Sequence, residues 1–516
     1  MSSTGGRLPS SLVFLPHVVS GVRWTFWLAV LAVPFSYATT FLLARAGPEA
    51  LGTYGVLGIY ASVIACFFYL GGSAVTIKYV SELQGSRRLS FLASYIAVLS
   101  VALVPWLVAA TLWPRVLHYV FGDVGDTRFQ LLVICLSPVY LFLLFLVSTL
   151  KGILDMAWAQ ALSRAIPIGS CLVYAVIFVI SPSTLIAHHI QVIWGVFLGL
   201  ALLAGFIGLL RFVSRDITSE SPKHLRVFLP PGFWKYTAGV QGSSLLGFFS
   251  INLDSLLILH AGGVTVLGRY VAIMTIALAV PLLSGFLLES FVPILMSALA
   301  QRKAESAREI TTLYGRMIFL TALAVATLQM ALAGPIAAIL GAHYADLKGF
   351  LQLLAPFAAL QALSAYLGTI LVITGSPHRE AFVKAFRIIV FAIAFQFLWT
   401  PYQLLGAILA WVIAEISYHG VVLYLVKRKT RDQLSLSRTY KAFLIVLATS
   451  AVTMTVLENA PLPVLLAVWL ALLTLFAYLA KYTYLEIRAL VGLITPRLSR
   501  PRTGSLALNH AGDADR

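Results

Sequence analysis

Long apolar segments with few charges make up most of the sequence. A membrane-spanning helix needs about 20 mostly apolar residues, whereas the strands of a membrane barrel alternate in polarity over about ten residues. Because 60% of the 516 residues are hydrophobic and only 11% are charged, a soluble globular protein is excluded. We predict an all-α polytopic membrane protein of about 14 transmembrane helices, called spans 1 to 14, at 20–45, 51–81, 90–113, 130–150, 158–180, 186–210, 233–259, 264–298, 312–341, 347–374, 380–399, 403–426, 441–457 and 462–482.

Lys and Arg are distributed unevenly between the two ends of these spans. With a cytoplasmic N-terminus, 31 of the 36 fall at the cytoplasmic end and five fall at the outer end. Such an excess is typical of cytoplasmic loops. The distribution predicts a multi-pass protein of the cytoplasmic membrane with both termini in the cytoplasm. It also accounts for the net charge of +17 through topology and contact with anionic lipids, so no nucleic acid partner is expected.

The segments between spans are short. No loop is long enough to bury a soluble domain, and we find no catalytic triad, phosphate-cradling loop or paired carboxylates, so the chain is not expected to be an enzyme. The three cysteines lie inside spans without metal-ligand spacing, so neither a metal nor another cofactor is expected. The predicted parts are a cytoplasmic leader, a six-helix lobe, a linker, a second six-helix lobe, two additional helices and a cytoplasmic tail, at 1–19, 20–210, 211–232, 233–426, 427–482 and 483–516.

A short motif recurs at equivalent positions in the two lobes. Leu51-Gly52-Thr53-Tyr54 opens span 2, and Leu267-Gly268-Arg269-Tyr270 opens span 8, an offset of 216 residues. Transporters built from duplicated bundles show weak internal similarity of this kind. The repeat therefore favours two pseudo-symmetric six-helix lobes.

Several short motifs also carry a resemblance to a known family. They are Leu51-Gly52-Thr53-Tyr54-Gly55, Gly71-Gly72, Lys78-Tyr79-Val80-Ser81-Glu82, Asn252-Leu253-Asp254, Leu267-Gly268-Arg269-Tyr270, Gly375-Ser376-Pro377-His378-Arg379, and Pro401-Tyr402 with Gly406-Ala407. In these motifs, spread over nearly the whole chain, the sequence resembles the polysaccharide (Wzx-type O-antigen) flippases of the multidrug/oligosaccharidyl-lipid/polysaccharide exporter superfamily.

The resemblance implies a central cavity lined largely by spans 1, 2, 7 and 8. A polyprenyl-diphosphate-linked oligosaccharide would cross there to the outer leaflet by alternating access, for cell-surface polysaccharide biosynthesis. The implied partners are this substrate, membrane lipids, and a glycan polymerase or glycosyltransferases. Two alternatives stay open. One is an ion-coupled drug or small-molecule antiporter of the same superfamily, and the other is a membrane-embedded glycosyl or lipid-modifying enzyme.

Four cations are candidates for binding the substrate. They are Arg23 and Arg45 in span 1, Lys78 in span 2 and Arg269 in span 8. Ionisable residues inside spans are costly and tend to face a cavity or a partner, and arginine binds a diphosphate through paired hydrogen bonds. The alternative is that these side chains extend to lipid headgroups. That explanation fits Arg45 and Arg269 less well, because both lie at the outer end.

Two carboxylates are candidates for ion coupling. Asp254 in span 7 and Glu289 in span 8 would take up a proton or a sodium ion as the lobes move. For Asp254 the alternative is a structural ion pair with Arg269 across the short turn between spans 7 and 8.

Other polar or helix-bending residues in the spans are expected to be structural or to permit bending. Glu415 and His419 are four residues apart in span 12 and can hydrogen-bond to each other, and Lys384 and Arg387 in span 11 are expected to face the inner headgroups. Pro281 is a candidate hinge in the long span 8.

Overall fold

The computed structural model describes most of the predicted spans and part of the connections between them. The predicted leader and tail, Arg23 and Glu289 lie outside the described residues. The described residues form helices joined by turns and contain no β-strand, which confirms the all-α fold. The described residues are 31–112, 127–216, 227–285, 287–288, 295, 304–373, 377–430, 437–457 and 460–481.

The first six spans form the N-terminal lobe. Span 1 is helical over 31–46. Span 2 is interrupted: it runs over Pro48–Val63, continues as a wider turn over Ile64–Phe68, and resumes at Gly72–Glu82. Spans 3 to 6 are unbroken helices, and a short helix, Pro182–Ala187, joins spans 5 and 6; their bounds are Gly85–Leu112, Thr127–Gly152, Met156–Ile180 and His189–Asp216.

Spans 7 and 8 both fall within the helical stretch Phe233–Ala277, which reverses direction at Gly263. The Gly263 backbone has φ 75° and ψ −177°, a conformation that is essentially restricted to glycine. Leu278 interrupts span 8 before helix resumes over 279–285. Pro281 cannot donate a hydrogen bond to the carbonyl of Ala277, which accounts for a break within one turn before it. The role of Pro281 as a hinge stays a prediction.

The remaining spans complete the second lobe and add two helices. Spans 9 and 10 are Ala304–Leu340 and Leu347–Ile373, spans 11 and 12 share Pro377–Thr430 with a turn at Gln403 (φ 46°), and spans 13 and 14 are Ser437–Val456 and Leu462–Leu479. Ten described helices are long and apolar enough to cross a membrane. Once the two bent helices are divided, the described helical segments match the 14 predicted spans in order.

The two additional spans pack on the outside of the second lobe. Phe443 of span 13 stacks edge-on against Phe319 of span 9, with ring centroids 5.3 Å apart. The Trp469 indole of span 14 donates a 3.0 Å hydrogen bond to the carbonyl of Ala324, also in span 9. Spans 13 and 14 therefore lie away from the interface between the two six-helix lobes, which spans 1, 2, 7 and 8 and their neighbours form.

Candidate functional site at the interface between the lobes

The repeated motif forms a close contact between the two lobes. We call the end of the bundle that carries Gly47 and Gly263 the outer end, following the charge distribution. There, a Cβ atom on Gly52 would lie 2.0 Å from the carbonyl oxygen of Val264, and a Cβ on Gly268 would lie 1.8 Å from that of Pro48. Any side chain at either glycine would force spans 2 and 8 apart.

The geometry of this contact is two-fold symmetric. Pro48 precedes Gly52 by four residues, and Val264 precedes Gly268 by four residues. Each glycine therefore meets the same position relative to the other motif, and the equivalent residues of the two lobes are 216 residues apart, the offset seen in the sequence repeat. The three matched residues of the motif, Leu, Gly and Tyr, mark the axis that relates the lobes, and the contact closes the outer end of the interface.

Aromatic rings close the inner end. We define the inner aromatic cluster as Tyr79 and Phe91 of the N-terminal lobe with Phe233 and Tyr236 of span 7. The Tyr79 ring lies 5.8 Å from Phe233 and 6.1 Å from Tyr236, and Phe91 lies 6.2 Å from Phe233, measured between centroids. Lobe-to-lobe contact is thus present at both ends, with the interrupted segment of span 2 between them.

The interruption in span 2 is bridged by the other lobe. The Gln241 amide of span 7 accepts a 2.8 Å hydrogen bond from the Gly71 N–H and donates one of 2.5 Å to the carbonyl of Cys66. Tyr95 of span 3 donates to the carbonyl of Leu70. Gly71 has φ 72°, a left-handed conformation that suits glycine. No sequence motif indicated Gln241; its only signal was a polar amide side chain within an apolar span.

The three candidate cations that the structure describes have partners, and they do not converge. The half-buried Lys78 places its ammonium 3.9 Å from the ring centroid of Tyr236, a cation–π contact between the lobes. The exposed Arg45 donates a 2.7 Å hydrogen bond to the carbonyl of Ile339. Arg269 forms an ion pair with Asp346. The two arginines are thus held at the outer end, Arg45 by the last turn of span 9 and Arg269 by the connection that follows it, whereas Lys78 lies at the inner end.

Asp254 is bonded within its own lobe. Its carboxylate accepts hydrogen bonds from the Tyr270 hydroxyl at 2.6 Å and from the Ser255 N–H at 2.7 Å. The predicted alternative, an ion pair of Asp254 with Arg269, is wrong because Arg269 reaches Asp346 instead. Asp254 lines a cavity of about 20 Å³ that also borders Ser250 and Arg387, enough for about one water molecule.

Arg387 lies inside the second lobe, and the expectation that it faces the inner headgroups is wrong. It lies ten residues into span 11, about 15 Å along the helix, and pairs with Glu415 of span 12 at 3.1 Å instead of facing headgroups. Its guanidinium also donates to the carbonyl of Ser250, at 2.9 Å. Glu415 is fully buried, and neither of its oxygens accepts a well-aligned hydrogen bond from the described residues. Asp254, Arg387 and Glu415 form what we call the buried charge cluster, within one lobe.

The expected pairing of Glu415 with His419 is also wrong. The His419 ring contacts the Ser364 hydroxyl at 3.0 Å and the Tyr440 hydroxyl at 2.9 Å. It therefore joins spans 10 and 12 to span 13. Lys384 pairs with Glu380 one helical turn away, at 2.6 Å. In the part of the chain that the structure describes, no three His, Cys, Asp or Glu side chains are grouped to hold a metal ion.

No protein-family model matches the sequence, and no curated protein matches it. Among solved structures, the lipid II flippase MurJ in an inward closed conformation matches with a TM-score of 0.65 and 14% identity, over 92% of this chain and 100% of that chain. The chain has the fold of a membrane transporter.

Multidrug transporters share this fold. An inward-facing MATE family transporter of the MOP superfamily matches with a TM-score of 0.61 and 15% identity, over 81% of this chain and 99% of that one. The transporter DinF-BH in complex with R6G matches with a TM-score of 0.59 and 13% identity, over 83% and 99%. The fold agrees with the superfamily inferred from the motifs, and the narrower assignment to O-antigen flippases stays a prediction.

Proposed function

We propose that this protein is a flippase that moves a polyprenyl-diphosphate-linked oligosaccharide from the cytoplasmic to the outer leaflet of the cytoplasmic membrane, with both termini in the cytoplasm. The observation that carries the proposal is the two-fold contact of Gly52 and Gly268. Two equivalent lobes that meet through bare backbone at one end can separate there as rigid bodies, as alternating access requires. A glycan polymerase or glycosyltransferase would act before or after this step.

The extent of the fold favours a flippase over a drug antiporter. The MATE family match covers 81% of this chain, whereas the MurJ match covers 92% of it and all of MurJ. Spans 13 and 14 add an apolar surface outside the lobes, next to span 9. A carrier of a long polyprenyl tail needs such a lipid-facing surface, while a small drug does not.

The cations are assigned to the diphosphate according to their positions. Lys78 lies at the inner end of the interface, where the substrate would enter, and Arg45 and Arg269 lie at the outer end, where it would leave. Their present partners are a ring, a carbonyl and a solvent-exposed carboxylate. An exposed ion pair contributes only about 0–1 kcal/mol, a hydrogen bond about 0.5–1.5 kcal/mol and a cation–π contact about 0.5–2 kcal/mol, so a diphosphate can displace these partners at little cost. Arg23 is assigned the same role from the sequence alone.

Ion coupling is assigned to Asp254. The buried charge cluster holds two carboxylates and one guanidinium, so it carries one net negative charge when all three are ionised. Charge buried in a membrane protein is costly unless it is balanced, and one proton or one sodium ion would balance it. Asp254 is the member that borders the small cavity, and it is the more accessible of the two carboxylates. Glu289 stays a second candidate from the sequence. The sequence has no nucleotide-binding loop, so the proposed driving force is an ion gradient.

Reconstitution into liposomes tests this proposal. The outer-leaflet fraction of a short polyprenyl-diphosphate-linked oligosaccharide is followed with a membrane-impermeant sugar probe, for wild type, Arg269→Ala and Asp346→Asn. Both variants break the same ion pair, so only a role of Arg269 toward substrate makes Arg269→Ala the slower one. We expect flipping by wild type and by Asp346→Asn.

Equal flipping by both variants would remove Arg269 from the substrate path and keep the function. Absence of flipping by folded wild type, under proton and sodium gradients, would contradict the flippase proposal. Gradient-driven efflux of a cationic dye by the same liposomes would then establish the antiporter alternative.

A further inference from the structure

The interruption in span 2 exposes backbone groups in the middle of the interface. Between Phe68 and Gly72 the helix stops and restarts, and the restarted helix, Gly72–Glu82, has no side-chain cap. Unsatisfied backbone groups cost several kcal/mol within a membrane, so interrupted spans are tolerated where they are buried in protein or line a hydrated cavity. Two of these groups, the Gly71 N–H and the Cys66 carbonyl, are satisfied only by the Gln241 side chain among the described residues.

Lys78 lies seven residues beyond Gly71, on the helix Gly72–Glu82 that restarts after the break. At a rise of about 1.5 Å per residue, it lies about 10 Å along the axis from Gly71. Side chains on a helix lean toward its N-terminus, so the flexible Lys78 ammonium can reach back toward Gly71. In this conformation the ammonium lies over the Tyr236 ring instead, 3.9 Å from its centroid.

Span 7 therefore contacts two groups that attract anions, the Gly71 N–H and the Lys78 ammonium, through two neutral, electron-rich side chains. Gln241 Oε1 covers the Gly71 N–H, and the face of the Tyr236 ring covers the Lys78 ammonium. Both partners come from the other lobe. An amide oxygen and a ring face are the uncharged counterparts of an anionic oxygen at these two positions.

A third polar group lies beside the break and is unpaired. The Thr237 side chain is 4% exposed, and its hydroxyl has no hydrogen-bond partner among the described residues. Its methyl carbon is 3.3 Å from the position of a Cβ on Gly71. A buried hydroxyl without a partner is costly, so the Thr237 hydroxyl is available to a further acceptor or donor at this point.

We propose that the break in span 2 is a binding site for the diphosphate group, formed by the Gly71 N–H, the Thr237 hydroxyl and the Lys78 ammonium, and that Gln241 occupies it when no substrate is bound. The inference rests on the proposed function for the choice of a diphosphate. Substrate entry displaces the Gln241 amide and draws Lys78 from Tyr236. Two contacts that hold the inner ends of the lobes together are thereby released by the substrate itself.

Competition for the Gly71 N–H makes the inference testable. Removing the Gln241 side-chain amide frees the site, so Gln241→Leu is expected to bind the diphosphate roughly two- to twelvefold more tightly, the equivalent of one hydrogen bond. A purely structural glutamine predicts the opposite or no change. Lys78→Met removes the charge and is expected to weaken binding, because charge-assisted hydrogen bonds are about twice as strong as neutral ones.

The dissociation constant of farnesyl diphosphate for the purified full-length protein is the readout, measured by titration calorimetry. Gln329→Leu is the matched control: Gln329 also donates to a backbone carbonyl, that of Ile276, but inside one lobe, so its affinity should equal that of wild type. Inorganic pyrophosphate is titrated in parallel. The order Gln241→Leu, wild type, Lys78→Met from tightest to weakest supports the site with either probe, and pyrophosphate reveals whether the diphosphate alone suffices.

Unchanged or weaker binding by folded Gln241→Leu would overturn the inference. If that variant does not fold, Gln241→Glu replaces it: its carboxylate keeps the acceptor and adds repulsion, so the diphosphate should bind more weakly, and unchanged affinity would overturn the site. Failure of the proposed function looks different. In that case wild type neither flips the lipid-linked oligosaccharide nor binds either diphosphate, whereas failure of this inference alone leaves wild-type flipping intact.

Discussion

Replacing Gly268 by alanine should open the outer end of the interface. The new Cβ would lie 1.8 Å from the carbonyl oxygen of Pro48, so spans 2 and 8 must move apart by more than 1 Å for an ordinary contact. Overpacking of this kind costs about 1–3 kcal/mol. The higher helix propensity of alanine applies to both conformations, since span 8 is helical in each, and it cancels. The ratio of separated to closed outer ends should rise roughly 5- to 150-fold.

Spin labels at Glu49→Cys and Thr265→Cys measure this ratio in a background without the native cysteines. Both residues are exposed, and they are related by the repeat offset, so the labels lie on either side of the contact without entering it. Pulsed electron–electron double resonance should show a larger population of long distances between the two labels in Gly268→Ala. Gly58→Ala in span 2 is the control, because its Cβ would meet nothing within 4 Å. A distance distribution in Gly268→Ala identical to that of the control would refute the reasoning.

Two further predictions concern the buried charge cluster. Arg387→Ala leaves the fully buried Glu415 without its cation and should lower the free energy of unfolding by about 3–5 kcal/mol, as measured by thermal unfolding. The double variant Arg387→Met, Glu415→Gln should recover most of this loss. A double variant as unstable as Arg387→Ala would show that the charges are not the cause. Asp254→Asn keeps the shape of the side chain and removes its titratable carboxylate. Liposomes with this variant should flip substrate at a rate that no longer depends on a proton or sodium gradient. A gradient dependence equal to that of wild type would exclude Asp254 as the coupling residue.

The fold could be predicted from the sequence because lipid imposes one dominant constraint. Each long apolar segment has to be helical, and turns with Gly or charged residues separate them, so the number and order of spans follow. The ends are less certain. Span 9 begins at Ala304, eight residues before the predicted position 312, because the helix continues past the apolar core with charged residues such as Glu305 and Arg308.

The symmetric contact was also visible in the sequence, since the repeated LGxY letters identified both glycines. What the letters did not reveal is their purpose, the mutual approach of Gly52 and Gly268 to backbone carbonyls. This mutual approach of the two backbones requires glycine on both helices. In a duplicated chain the two glycines therefore occupy equivalent positions of the repeat.

The polar contacts between spans could not be predicted. Periodicity tells which face of a helix is apolar, but it does not tell which span supplies the partner. Arg269 was matched to Asp254 because the two are close in sequence, whereas Asp346 reaches it from a turn 77 residues away. The same limit hid Gln241, whose partners lie 170 and 175 residues away in span 2.

A reversible cross-link between spans 2 and 8 tests the central claim, that transport requires the outer ends of the lobes to separate. A Cβ on Gly55 would lie 3.6 Å from Leu267 Cγ, where the sulfur of Leu267→Cys would sit, so Gly55→Cys and Leu267→Cys can form a disulfide. Val271→Ala removes the methyl group 2.8 Å from the new Cβ. In liposomes containing this triple variant, without the native cysteines, oxidation should abolish flipping and reduction should restore it. Flipping at an unchanged rate with the cross-link fully formed would contradict the account.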